Sequence, residues 1–68
     1  MSAYKVIQVV GTSSKSWEDA TQSAVAAASK SLRDLRVAKV VEMDVTMDKK
    51  GKITSYRAKV DLSFKYEL

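Results

Sequence analysis

Tyr56-Arg57-Ala58-Lys59-Val60-Asp61-Leu62-Ser63-Phe64-Lys65-Tyr66-Glu67-Leu68 alternates apolar and polar residues without a slip. Tyr56, Ala58, Val60, Leu62, Phe64, Tyr66 and Leu68 fall on one side, and Arg57, Lys59, Asp61, Ser63, Lys65 and Glu67 on the other. Successive strand side chains face opposite sides of a sheet, so the pattern predicts a β-strand with one buried face. At roughly 3.3 Å per residue such a strand reaches about 43 Å, more than twice the common strand length. It outruns the core a small chain can build and needs a partner on its apolar side.

Upstream, Arg36 to Asp48 reads as a second strand, with Val37, Lys39, Val41, Met43, Val45 and Met47 opposed to Ala38, Val40, Glu42, Asp44, Thr46 and Asp48. Asp48-Lys49-Lys50-Gly51 then supplies a turn with glycine where a positive φ is wanted, so the two strands form a long hairpin. From Trp17 to about Leu35, the residues Trp17, Ala20, Thr21, Ala24, Ala28, Leu32 and Leu35 recur at helical spacing and form one apolar stripe. Its alanine middle lets the helix axis come close to a sheet, which is expected to curl around it. Glu18, Gln22, Ser29, Lys30 and Arg33 occupy the wet reverse face. Ser16 is the expected N-cap, with Ser13 competing, because Glu18 and Asp19 then sit in the first turn at the positive end of the helix dipole. Ala3 to Val10 reads as the first strand, ended by Gly11 and followed by the hydroxyl-rich turn Thr12-Ser13-Ser14. Tyr4, Val6 and Val10 lie on one side of it and Lys5, Ile7 and Val9 on the other, so both faces are partly apolar. With one helix available, apolar residues on the helix-free face predict contact with another copy. The expected architecture is α+β, a single domain over residues 1–68 in the order β-α-β-β. The C-terminal strand lies between the other two in the sheet and is antiparallel to both.

Composition supports self-association. A chain of 68 residues buries only about 60% of its unfolded surface and commonly needs a staple. The sequence has no Cys and no His, so disulfides, thiolate sites and imidazole ligands are excluded and association remains. Apolar runs such as Val25 to Ala28 are far shorter than the ~20 residues of a membrane span, and no basic-apolar-small leader precedes the first strand. The expectation is a soluble cytoplasmic protein without a membrane partner. Twelve Lys and Arg against eight Asp and Glu give a net charge of +4. The basic residues are scattered among acidic neighbours, however, and the one adjacent basic pair is Lys49-Lys50 in the turn, which argues against a nucleic-acid surface.

The chemistry-bearing residues point to binding. Without His, Cys, a base beside a hydroxyl or a Gly-rich phosphate loop, an enzyme is not expected. Glu42, Asp44 and Asp48 project from one side of the second strand, and oxygen ligands of this kind suit calcium or magnesium. Alternate strand positions are about 6.6 Å apart, too far for one chain to close a six-ligand shell, so a metal site through Glu42 and Asp44 needs several copies meeting on a symmetry axis. Asp44-Val45-Thr46-Met47-Asp48 has the start of an EF-hand spacing, but Gly51 comes too late and no glutamate closes the loop. The competing reading is a charged strand face on which these acids pair with Arg57 and Lys59 across the hairpin. Trp17, on the apolar stripe in the first helical turn, is expected to pack rather than to bind a ligand.

Tyr4-Lys5-Val6-Ile7, Val10-Gly11-Thr12-Ser13, the alanine-rich helix and Val60-Asp61-Leu62-Ser63-Phe64-Lys65 together resemble the dodecins over nearly the whole chain. These are small β-α-β-β proteins in which twelve copies form a hollow sphere. Gly11-Thr12-Ser13 with Ser16-Trp17-Glu18, Arg36-Val37-Ala38 and Gly51-Lys52-Ile53-Thr54 are most similar to the calcium dodecin branch. The resemblance implies a homo-dodecamer that binds or stores a small ligand or cations. In flavin-binding dodecins, tryptophans at the start of the second strand stack on paired isoalloxazine rings and a glutamine on the third strand hydrogen-bonds the ring edge. Those positions are Val37 and Arg57 here, and Lys65 keeps a basic residue that approaches the ligand's phosphate. An aromatic stack contributes about 0.5–1.5 kcal/mol beyond area burial, and an arginine cannot accept from the ring N–H as an amide can. Riboflavin or FMN binding is therefore the alternative to cation binding, and a purely structural shell the second alternative.

Overall fold

The computed structural model describes residues 3–66. Strand β1 spans Ala3–Ser13, helix α1 Trp17–Ser29, strand β2 Leu35–Met47 and strand β3 Ile53–Tyr66. The sheet order is β1-β3-β2, with β3 antiparallel to both neighbours, as the hairpin and the helical crossover predict. The face assignments of Glu67, Leu68 and the Tyr66 side chain lie outside the described residues.

The alternation of β3 sets the core. Ala58, Val60 and Leu62 are buried on one face, and the buried Ala20, Ala24 and Ala28 of α1 meet them there. Ile7, Val9, Val25, Leu32 and Leu35 close the margins. The helix contributes only alanines to the buried set, against Val60 and Leu62 of β3, and it lies low on the sheet. α1 rests mainly on β1 and β3 and only marginally on β2. The hairpin therefore projects past it, and the molecule measures 53 × 20 × 14 Å.

Several element boundaries differ from the sequence reading. Gly11 does not end β1, which runs on to Ser13 with Gly11 paired to Ala58 and buried. A Cβ at Gly11 would stand 1.9 Å from the carbonyl oxygen of Ala20, so this glycine exists to let the helix backbone approach the strand. The helix stops at Ser29 rather than near Leu35. Ser29 Oγ donates to the Ala26 carbonyl, the amides of Ser31 and Leu32 donate to Ala28 O, and Asp34 at φ 60 turns the chain into β2. Leu35 still packs against the core, half-buried, but as the first residue of β2, opposite Phe64, because sheet pairing outweighs helical periodicity there. The third strand opens at Ile53, three residues before the clean alternation starts.

The faces of β2 also differ from strict alternation. Val40 pairs with Val60 and Glu42 with Lys59, so Val41 is an extra residue in a bulge. Before it, Ala38 and Val40 share the helix side with Leu62 and Val60. After it, Met43 and Val45 take that side with Ala58 and Tyr56, and Glu42, Asp44 and Thr46 move to the helix-free face with Lys59, Arg57 and Ser55. Grouping Ala38 and Val40 with Glu42 and Asp44 was thus an error of register, and the bulge separates apolar from acidic residues.

Local signals at the two turns held. Ser16 caps α1, its hydroxyl accepting from the Asp19 amide at 3.0 Å. Ser13 supports the same corner, accepting from Lys15 N and donating to Asp19 Oδ2 at 2.7 Å. Gly51 has φ 80, and Asp48 Oδ1 accepts from the amides of Lys50 and Lys52. None of the described helices is long and apolar enough to cross a membrane.

Candidate functional site

The register of β3 with its neighbours puts every sequence-predicted site residue on the helix-free face. Asp44 lies opposite Arg57 and Glu42 opposite Lys59; Val37 lies opposite Ser63 and Lys65 opposite Tyr4. They form two groups. Glu42, Asp44, Arg57 and Lys59, with Val10 of β1, line a pocket of about 60 Å³ near the middle of the sheet. Val37 and Lys65 sit at the other end, six to eight residues along β3 from Arg57, or about 20–26 Å at ~3.3 Å per residue. One chain therefore cannot bring Val37 and Arg57 to the same ligand ring.

In the first group, charges pair as the hairpin reading expects. Arg57 donates from Nε to Asp44 Oδ1 at 2.7 Å and from Nη2 to Oδ2 at 2.8 Å, a bidentate fork. That hydrogen-bonded guanidinium holds the Asp44 carboxyl below its ordinary range, while Asp44 in turn raises Arg57. Glu42 meets Lys59 more loosely, at 3.6 Å. Asp48 is absent from this group because the hairpin turn uses its carboxylate.

Trp17 holds the cluster from the helix side. Its Nε1 donates to the carbonyl oxygen of Asp44 at 3.0 Å, and its ring meets Tyr56 edge-on, with centroids 5.2 Å apart. It packs on Tyr56 as expected but stays 36% exposed rather than entering the core, and the link to Asp44 joins residues 27 apart in the chain and has no local sequence signal. Val10 is the other lining residue the site reading passed over; its parity with Tyr4 and Val6 was the available clue.

Neither expected ligand is accommodated by one chain. Asp44 has both oxygens on Arg57, and among the described residues no group of three acidic side chains converges to hold a metal ion. A pocket of 60 Å³ has room for an ion with a few waters but not for a ring system, which needs ≈ 300 Å³ or more. For a flavin, Val37 offers no π-face and the Arg57 fork is already committed to Asp44. A second pocket of about 120 Å³, between α1 and the start of β2, is lined by Val25, Leu35, Arg36, Val37, Ala38 and Leu62 and is also too small.

The same face carries exposed apolar side chains: Tyr4 and Val6 at 57%, Val10 at 48% and Val37 at 60%. The family model described as Dodecin matches residues 3–67 of the chain. The chain belongs to the dodecin family. Among the dodecins it is 54% identical to the calcium dodecin of Mycobacterium tuberculosis over 65 residues, covering 96% of this chain and 90% of that protein. A crystal structure of that calcium dodecin, described as calcium chelating with a novel calcium-binding site, superposes with a TM-score of 0.83 at 49% identity over 96% of this chain and 91% of the other. The tt0972 protein of Thermus thermophilus gives 0.91 at 34% identity, covering 100% and 98%. Dodecin from Streptomyces coelicolor gives 0.91 at 30%, covering 98% and 94%.

Proposed function

We propose that this dodecin is a homo-dodecameric binding and storage protein that holds cations, calcium or magnesium, at seams between copies through Glu42 and Asp44, and that it has no catalytic activity. The observation that carries the reading is the composition of the helix-free face. One patch holds paired acids and bases, and exposed Tyr4, Val6, Val10 and Val37 lie on the same surface. Apolar area of that kind is covered by copies in a stable assembly. Such an assembly brings carboxylates from several chains to one axis, which meets the ligand number that a single chain fails to supply. The similarity to a calcium dodecin supports calcium as the cation.

A flavin-binding reading is favoured only by family membership and by the retained Lys65, since Val37 and Arg57 both lack the required chemistry. Native mass spectrometry of protein purified from its own host tests the proposal. The expected species has twelve times the 7.5 kDa chain mass and carries divalent ions; a monomer or dimer, or a shell loaded with flavin, would overturn it.

A further inference from the structure

The hairpin end of the sheet runs clear of the rest of the molecule. Strand β1 stops at Ser13, opposite Tyr56, and α1 hardly reaches β2, so Thr46, Met47 and Ile53 to Ser55 continue as a bare two-stranded ribbon closed by the turn. Met47 and Ile53 stand directly opposite each other across it, which puts both on one face, at 62% and 46% exposure. The turn beside this apolar pair carries Lys49, Lys50 and Lys52 against one acid, so half of the chain's net charge of +4 sits on five residues. That acid is Asp48, whose Oδ1 accepts from the amides of Lys50 and Lys52. Ion pairs among the described residues engage Arg36, Arg57 and Lys59, and the three turn lysines are exposed.

We propose that this tip docks on an anionic lipid surface, with the lysines against the headgroups and Met47 and Ile53 entering the layer beneath them. The proposal is independent of the cation reading above. The sequence reading set a membrane aside because no segment is long enough to span one, and lying against a surface needs no span. Each lysine close to an anionic bilayer is worth about fivefold in partitioning, from about 1 kcal/mol at tenfold per 1.4 kcal/mol, and three give about a hundredfold. The apolar pair decides between anionic partners. A nucleic acid presents its phosphates without an apolar layer for Met47 and Ile53 to enter. A second copy would bring the three lysines against a chain that is itself positive overall. A bilayer boundary alone sets negative charge and apolar matter side by side, as the tip does with its opposites. Gly51 at φ 80 and the Asp48 hydrogen bonds hold the turn in one shape, so docking has little backbone left to order.

The test is co-sedimentation of the full chain with vesicles of pure phosphatidylcholine and with vesicles of equal parts phosphatidylcholine and phosphatidylglycerol. The chain is expected to follow the anionic vesicles and not the neutral ones. Binding should weaken as salt rises from about 0.01 to about 0.15 M and the Debye length falls from about 30 to about 8 Å. Joint replacement Lys49→Gln, Lys50→Gln and Lys52→Gln should weaken partitioning about a hundredfold. Lys50→Gln alone, at about fivefold, serves if the triple variant falls out of solution. Lys15→Gln with Lys30→Gln and Lys39→Gln removes the same charge elsewhere and should leave most of the binding. Met47→Ser with Ile53→Ser should weaken it severalfold, at a copy number unchanged by light scattering. No binding to anionic vesicles, an equal loss in the charge-matched control, or no loss in the turn variants overturns the proposal. So does a fall in copy number in Met47→Ser with Ile53→Ser, which would assign the pair to a contact between copies. A duplex oligonucleotide bound as tightly through the same lysines, with no help from Met47 and Ile53, overturns it as well.

Discussion

Asp44 shows how much one side chain can be asked to do on a strand surface. It accepts a bidentate fork from Arg57, and its carbonyl accepts from Trp17. The fork stabilises the ionised carboxylate, which places its proton affinity below that of the same group in the unfolded chain. The sign follows directly. A carboxyl with a depressed folded-state value contributes stability that is present above the unfolded value, about 3.9, and is lost as pH falls through the folded value. Acid melting below about pH 4 should therefore destabilise the parent more steeply than Asp44→Asn, which has no proton to take up. Parallel thermal melts across that range would expose a fault if the two curves fell together. Pairing of Asp44 with Arg57 was legible from the opposed charges of two strands. The loosened pairing of Glu42 was not, because distance and exposure are properties of the folded surface.

At the scale of elements, the contact between α1 and β1 decides the thickness of the protomer. Ala20 and Ala24 present almost no side chain, and Gly11 presents none where they arrive. In Gly11→Ala the new methyl would meet the Ala20 carbonyl at 1.9 Å and the Ala24 methyl at 3.0 Å, so the helix must lift off the sheet. Overpacking of this kind costs about 1–3 kcal/mol. Chemical denaturation should place Gly11→Ala in that range or above it, and an unchanged midpoint would show that the helix does not sit where it is described. Glycine after a run of strand residues looks like a terminator when only the local sequence is read. Its true role depends on Ala20, nine residues further on in the helix. The bulge at Val41 is of the same type: an unbroken apolar stretch, Val40-Val41, hides the extra residue, and only pairing with Val60 and Lys59 reveals it.

The whole molecule is long, thin and incompletely covered. Its helix shields part of one face of a sheet, and the other face leaves Tyr4, Val6, Val10 and Val37 in contact with water. Separation of Val37 from Arg57 along β3 means that any ligand touching both must bridge copies. With no aromatic ring at residue 37 and the residue 57 guanidinium already occupied, riboflavin and FMN should bind weakly. Titration into the protein should leave flavin fluorescence nearly unquenched, whereas quenching at nanomolar protein would restore the flavin reading. Light scattering on the same sample reports copy number and so separates loss of stacking from loss of assembly.

Strand alternation, helix spacing, the Ser16 cap and the Gly51 turn are short-range chemistry, and the sequence alone carried them through to the β-α-β-β order and the central place of β3. Face assignment within β2, the length of α1 and the meaning of Gly11 were settled by tertiary structure, because each depends on which distant residue stands opposite. Local periodicity reports what a segment favours; register, close approach and charge pairing report what the rest of the chain permits.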